Sequence, residues 1–375
     1  MLQYASQVKS VQSVLIRSTS GGFEPRFKLA EDFLLRFSNN VEPIIWSRTV
    51  KDSIFLDSNP TNVFKIHADY GRGWKNLLAH FQFFLFVVLR LRTIKPKIIY
   101  ACDLDTLIPS LIWRMNKRVI IIFDQFDPLS SRTNNRTLSR LIAKLEIYFA
   151  KKSDIRIVAN SSRIPVRMID DWFEMKNVYA IDSSYKGFQR IKPPFVLFYG
   201  GILAPDRGLL ACATAISQEP DWEFHLYGQG STLDLLKNAN HPNVFVHQPI
   251  PHEELMRKAN SSDLFLAMYD PSYSNNKYTA SNKLFEAAQL GIPLLSNNGT
   301  SLGETIISLN LGWSVEYDNI QQIRNTLSEV SKMSNSQKLA FASKSISYFN
   351  SQIDSRLGEL ARIENRLNTL LGEIN

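Results

Sequence analysis

Strand-like and helix-like runs alternate along nearly all of the 375 residues, and no other feature constrains the fold as tightly. Short β-branched or aromatic runs at 11–17, 41–46, 97–101, 118–123, 154–159 and 177–181 read as strands. Helical patterns at 26–37, 74–92, 104–115, 136–152 and 162–175 lie between them. A stretch rich in Ser, Gly and Pro at 182–194 reads as a linker, after which the alternation restarts. Strands are predicted at 195–199, 223–227, 243–247, 263–268, 292–296 and 313–316. Helices are predicted at 208–218, 231–239, 252–260, 283–290, 301–308 and 320–331, with a helical tail from 334. Strand, helix, strand in steady succession means βαβ units and a largely parallel sheet. The expected fold class is therefore α/β, with two tandem doubly wound, Rossmann-like domains at 1–185 and 186–345 and a C-terminal helical tail at 346–375. In such a fold a ligand is expected in the cleft between the halves, at the C-terminal strand ends.

Composition narrows the function classes. Two cysteines far apart, Cys102 and Cys212, exclude a disulfide framework and a cysteine-rich zinc site and fit a reducing compartment. The first ten residues lack the apolar core of a signal peptide, which leads to the expectation of a cytoplasmic protein. Residues 1–190 carry 29 Lys+Arg against 17 Asp+Glu, whereas 191–375 carry 14 against 18. A basic half points to an anionic partner. Nucleic acid is disfavoured by the absence of zinc-finger spacing, an RNP-like motif or a long basic run. An anionic membrane surface fits better because of the segment 74–92, the most apolar in the chain, with Arg and Lys at both ends. It is expected to be too short to span a bilayer, and to pack on a sheet while touching lipid head groups.

Three stretches carry chemistry. Gly200-Gly201 follow a strand and precede Arg207, so backbone amides and a guanidinium can meet a diphosphate there; a plain βα turn with a surface Arg reads the same way. Gly228 and Gly230 repeat the strand–glycine–helix pattern. In the run from Tyr278 to Leu295, Thr279, Ser281 and Asn282 can cap a helix that Gly291 ends. Glu286 in its first turns can accept hydrogen bonds from a vicinal diol such as ribose, or is an ordinary exposed Glu.

The runs SNKLFEAAQLGIPLL and YGGILAPDRG resemble the donor half of GT-B glycosyltransferases, specifically glycosyltransferase family 4. The segments KIIYACDLDTLIPSLI, RVIIIFDQFDPLS and YFAKKSDIRIVANSSR extend the resemblance over nearly the whole chain. It implies a retaining, metal-independent enzyme with no cofactor beyond a nucleotide-diphosphate sugar. The donor would lie on the second domain, and a saccharide or lipid-linked acceptor on the first. It further implies that Glu286 holds the ribose and Arg207 the diphosphate, with Ser281, Asn282 and Lys283 beside them. Gly200 and Gly201 would meet phosphate or sugar, Gly228 and Gly230 would flank the nucleoside, and Gly21 and Gly22 would close on the diphosphate.

The sequence also departs from the family. Tyr278 stands where a first glutamate is common, Ile202 where an Arg is common, and Tyr100 and Phe126 at positions matching a first-domain His. Asp103, Asp105, Asp124 and Asp127 are the polar groups left there. Asp103 and Asp127 are the candidates to orient or deprotonate an acceptor hydroxyl, with helix capping the competing role. Asp103-Leu104-Asp105 also matches a metal–diphosphate signature of another glycosyltransferase architecture, which tandem α/β halves argue against. The expected function is glycosyl transfer in surface polysaccharide or glycolipid synthesis. The rivals are a non-catalytic partner subunit that binds nucleotide sugar or lipid, and a nucleotide-sugar epimerase.

Overall fold

The computed structural model of the chain describes residues 11–18, 25–48, 62–66, 68, 74–115, 117–132, 135–161, 164, 171–178, 194–279 and 281–374. Gly21, Gly22 and nearly all of the linker at 182–194 lie outside the described residues. The chain divides into two compact units, one of residues 1–176 with 357–375 and the other of 177–356.

In the first unit the elements run β1 (Val11–Arg17), α1 (Pro25–Leu34), β2 (Ser38–Trp46), β3 (Val63–Phe64), α2 (Trp74–Ile94) and β4 (Ile98–Cys102). Then come α3 (Leu104–Arg114), β5 (Ile120–Gln125), α4 (Arg136–Ala150), β6 (Ile155–Val158) and β7 (Phe173–Glu174). The seven strands form one parallel sheet in the order β3-β2-β1-β4-β5-β6-β7. Both β4 and β5 are buried along their whole length, as unbroken apolar runs are when helices cover both faces of a sheet. Side chains alternate between those faces. Leu15, Tyr100 and Ile122 pack with α1 and with Ile363 and Leu367 of the last helix. Val14, Ile99 and Ile121 face the other way, against Phe83, Val87 and Leu91 of α2.

The second unit repeats the plan with β8 (Phe195–Gly200), α5 (Leu209–Ser217), β9 (Trp222–Tyr227), α6 (Leu233–Asn238), β10 (Val244–His247), α7 (His252–Ala259) and β11 (Leu264–Leu266). It continues with α8 (Ser274–Lys277), α9 (Asn282–Gln289), β12 (Leu294–Asn297), α10 (Ser301–Ser308), β13 (Gly312–Val315) and α11 (Ile320–Ser331). A 40-residue helix, α12 (Asn335–Ile374), follows and belongs to the first unit from Leu357 onward. The six strands are parallel in the order β10-β9-β8-β11-β12-β13. In each sheet the winding reverses once, between β1 and β4 and between β8 and β11. Ligands of doubly wound sheets bind outside the C-terminal strand ends at such a reversal.

Three expectations are corrected. The helical pattern at 162–175 ends in a strand instead, because Phe173 and Glu174 pair with Ile157 and Val158. Asn177 and Val178, the described part of the strand expected at 177–181, are not in a strand. The apolar segment expected to be too short for a bilayer forms a 21-residue helix, of which 76–94 is long and apolar enough to cross one by length and composition.

Candidate functional site

At the winding reversal of the second unit, β8 ends at Gly200, and Gly201 donates its N–H to Tyr227 O at 2.9 Å. Gly228 lies against this turn so closely that a Cβ there would overlap the Gly201 carbonyl oxygen. Gly230 meets the Leu203 carbonyl in the same way. These glycines are required by backbone-to-backbone contact between the two loops.

Two buried phenols form the floor beside the turn. Tyr199 donates to Ile202 O at 2.7 Å, and Tyr269 shares a 2.8 Å hydrogen bond with Ser281 Oγ. Each carries a cation on its ring face. Lys283 Nζ is 5.0 Å from the Tyr199 centroid and Arg207 Cζ is 4.7 Å from that of Tyr269. Arg207 sits in a short 3-10 turn (Pro205–Arg207), where its Nη1 pairs with Asp206 and lies 3.4 Å from Asn276 Oδ1. Lys283 forms no salt bridge among the described residues. Burial works against its charge, but the phenols of Tyr269 and Tyr199 and the Glu286 carboxylate outweigh it and hold the ammonium above its ordinary range.

Lys283 is in the first turn of α9. Ser281 occupies the N-cap position, but its hydroxyl is turned to Tyr269 and makes no side-chain cap. The start of α9 thus presents amides and a positive dipole end next to Lys283. Asn282 is half-buried beside it. One turn on, Glu286 lies 3.2 Å from His252 Nε2 at the start of α7. Ile202 and Tyr278, the two departures on this side, are 68% and 54% exposed.

The Glu286 bond raises the pKa of His252 above 6.5, with burial opposing. A raised folded-state value means the pair's stabilisation is complete below about pH 6.5 and fades as pH rises through the folded value. His252→Ala should therefore lower the melting temperature more at about pH 6 than at about pH 8. Equal losses at both would remove the ion pair from the account.

In the first unit, Arg17 at the end of β1 meets Asp103 just after β4, at the other winding reversal. Asp103 has φ 69°, a left-handed conformation that costs a non-glycine residue about 1–3 kcal/mol. Its carboxylate holds it there. One oxygen pairs with Arg17, and the other accepts the amides of Phe126 and Asp127, each at 2.9 Å. Burial pushes its pKa up to about 7, against the pull of Arg17. Asp103 therefore acts on the 126–127 loop, while the Asp127 side chain is exposed. Phe126 lies under the guanidiniums of Arg17 and Arg26, at 4.3 and 5.1 Å from its ring centroid. Asp124, fully buried, accepts from Arg26 Nε at 3.0 Å and from the Tyr100 hydroxyl at 2.7 Å. The two acids of the Asp-x-Asp motif face different partners, since Asp105 lies 3.8 Å from His80. Among the described residues, no group of three or more His, Cys, Asp or Glu gathers to hold a metal.

The structure thus brings Gly201, Arg207, Ser281, Lys283 and Glu286 into one neighbourhood, packs Gly228 and Gly230 behind the turn, and sets Asp103 and Asp127 together on the other unit. Sequence reasoning missed Tyr199, Tyr269 and His252. No spacing links residues 199, 207, 269 and 283, and only the ends of β8 and β11 bring them together. His225 and His247, in adjacent strands, are half-exposed and stacked at 5.3 Å, with Tyr227 stacked on His247 at 4.3 Å.

Residues 207–308 match a family model described as Glycosyl transferase-like. That span holds Arg207, Gly228, Gly230, Ser281, Asn282, Lys283 and Glu286. Among curated proteins no sequence match is found. Sucrose-phosphate synthase from Thermosynechococcus elongatus superposes with a TM-score of 0.67 at 11% identity, covering 97% of this chain and 100% of its own. The Anabaena protein HepE, solved with UDP and glucose, gives 0.66 at 14% identity over 96% of this chain and 100% of its own. WaaB, a lipopolysaccharide outer core galactosyltransferase in its apo form, gives 0.57 at 15% identity over 92% and 99%. The fold is that of the GT-B glycosyltransferases. Within it, the cations and the helix start described above all fall at the second sheet's winding reversal.

Proposed function

We propose that this chain is a cytoplasmic glycosyltransferase that moves a sugar from a nucleotide-diphosphate donor to a saccharide or lipid-linked acceptor, in the synthesis of a surface polysaccharide or glycolipid. The observation that carries this reading is the pair of cations, Lys283 and Arg207, set on Tyr199 and Tyr269 beside the Gly200-Gly201 turn. Departure of a nucleoside diphosphate builds negative charge on its phosphates. Preformed cations and helix-start amides at that position stabilise the transition state more than the ground state. Glu286 accepts the ribose hydroxyls, with His252 fixing its carboxylate. In this reading the donor needs no further cofactor, because side-chain and backbone charge meets the diphosphate.

The acceptor belongs to the first unit. Its hydroxyl oxygen bonds to the anomeric carbon as the bond to the diphosphate oxygen breaks, and its proton passes to a base. Asp127 is the exposed carboxylate assigned that role, with Asp103 as the residue that positions it. Retention of configuration rests on the family resemblance. Tyr278, Ile202 and Phe126 are what favour a non-catalytic nucleotide-sugar-binding subunit instead. Incubation with UDP-sugars and no acceptor tests the choice. A transferase releases free UDP slowly by transfer to water, and Asp127→Asn slows that release without changing UDP affinity. Tight UDP binding with no release from any sugar nucleotide would replace the transferase by the binding subunit.

A further inference from the structure

The helix α2 has two apolar faces, and the fold uses only one. Ala79, Phe83, Val87 and Leu91 recur every four residues and are buried against the sheet. On the opposite side Leu78, Phe81, Leu85 and Leu89 form a second stripe that lies exposed, with Phe81 and Leu89 each 58% accessible. A groove of about 480 Å³ opens along this side toward α3, lined chiefly by Leu77, Phe81, Phe84 and Ile108. Contiguous apolar surface of this kind on a soluble domain marks a docking surface.

The charge around the stripe selects the partner. Residues 74–97 contain five Lys or Arg and no Asp or Glu. Arg92 continues the exposed stripe beyond Leu89, and Lys95 and Lys97 follow it, both exposed. The carboxylate in the groove lining, Asp105, faces His80 at 3.8 Å. An apolar strip ending in cations fits a surface with anionic head groups over an acyl interior. A second copy of the chain fits poorly, since its own cationic rim would meet this one. The helix is long enough to span a bilayer, but its buried stripe is part of the unit's core, so it lies along the interface.

We propose that the exposed stripe of α2 docks on an anionic phospholipid bilayer. Leu78, Phe81, Leu85 and Leu89 enter the acyl region, and Arg92, Lys95 and Lys97 meet head-group phosphates. This surface stands apart from the transfer reaction, and vesicle binding without nucleotide reads it separately. The test is co-flotation of the full chain with vesicles of phosphatidylglycerol and phosphatidylcholine in equal parts, and with phosphatidylcholine alone. The native chain should float with the anionic vesicles and far less with the neutral ones. The double variant Phe81→Ser, Leu85→Ser should lose binding by roughly tenfold or more with its melting temperature unchanged, because both side chains are exposed. Arg92→Glu with Lys95→Glu should weaken binding to anionic vesicles and remove most of its salt dependence. No flotation by the native chain, or flotation untouched by the serine variant, overturns the proposal. So does a native dimer, without vesicle binding, that the serine variant splits.

Discussion

Replacing Lys283 by methionine is expected to weaken uridine diphosphate binding by roughly 30-fold, about 2 kcal/mol, and to leave uridine binding nearly unchanged. Methionine keeps an apolar stem against Tyr199 and removes only the charge. Lys283 is the more telling of the two cations. Arg207 is already engaged by Asp206, which competes with an incoming phosphate. Lys283 has no carboxylate paired with it among the described residues, and its ammonium sits beside the Gly201 turn. Arg207→Ala should therefore reduce diphosphate affinity by a smaller factor. Titration calorimetry with uridine diphosphate and with uridine separates the terms. Equal losses for both ligands, or none for the diphosphate, would dismiss the two cations as the phosphate site.

Asp124→Ala is expected to destabilise the first unit by about 3–5 kcal/mol, enough to unfold a domain of ordinary stability. The carboxylate is fully buried, and its loss takes an opposite charge from the buried Arg26 guanidinium, which also meets the Met175 carbonyl and the Phe126 face. Tyr100 loses its acceptor as well. Its hydroxyl already has a pKa well above the usual phenol range, through burial first and the Asp124 charge second. Asp124→Asn keeps an acceptor and should cost less. Urea denaturation reads both. A loss of under about 1 kcal/mol for the alanine variant would mean that the buried pair is compensated elsewhere.

Apart from the short helix α8, the elements of the second unit were legible to within about two residues at each end. Its central strand Phe195–Gly200 is an unbroken apolar run between a proline pair and a glycine turn, and only a strand covered on both faces demands that. The first unit was harder to read. Phe173 and Glu174 belong to a two-residue edge strand whose existence depends on pairing with β6, and two residues carry no period. The start of α9 was legible because Ser281 and Asn282 are residues that begin helices. The pairing of Arg26 with Asp124 was not, because the partners are 98 residues apart and each looks like a surface charge. The contacts of Asp103 were hidden for a related reason. An acid after a strand reads as a reactive group, whereas its two oxygens here brace an arginine and a loop backbone.

The interlock between the Gly201 and Gly228 loops has a consequence for anyone redesigning this site. Libraries that randomise Gly228 or Gly230 would mostly yield misfolded clones, since the main chain at Gly201 and Leu203 occupies the space that their first side-chain carbon would need. Productive diversity has to come from positions whose side chains leave that scaffold, of which Ile202 and Gln229 are both solvent-facing.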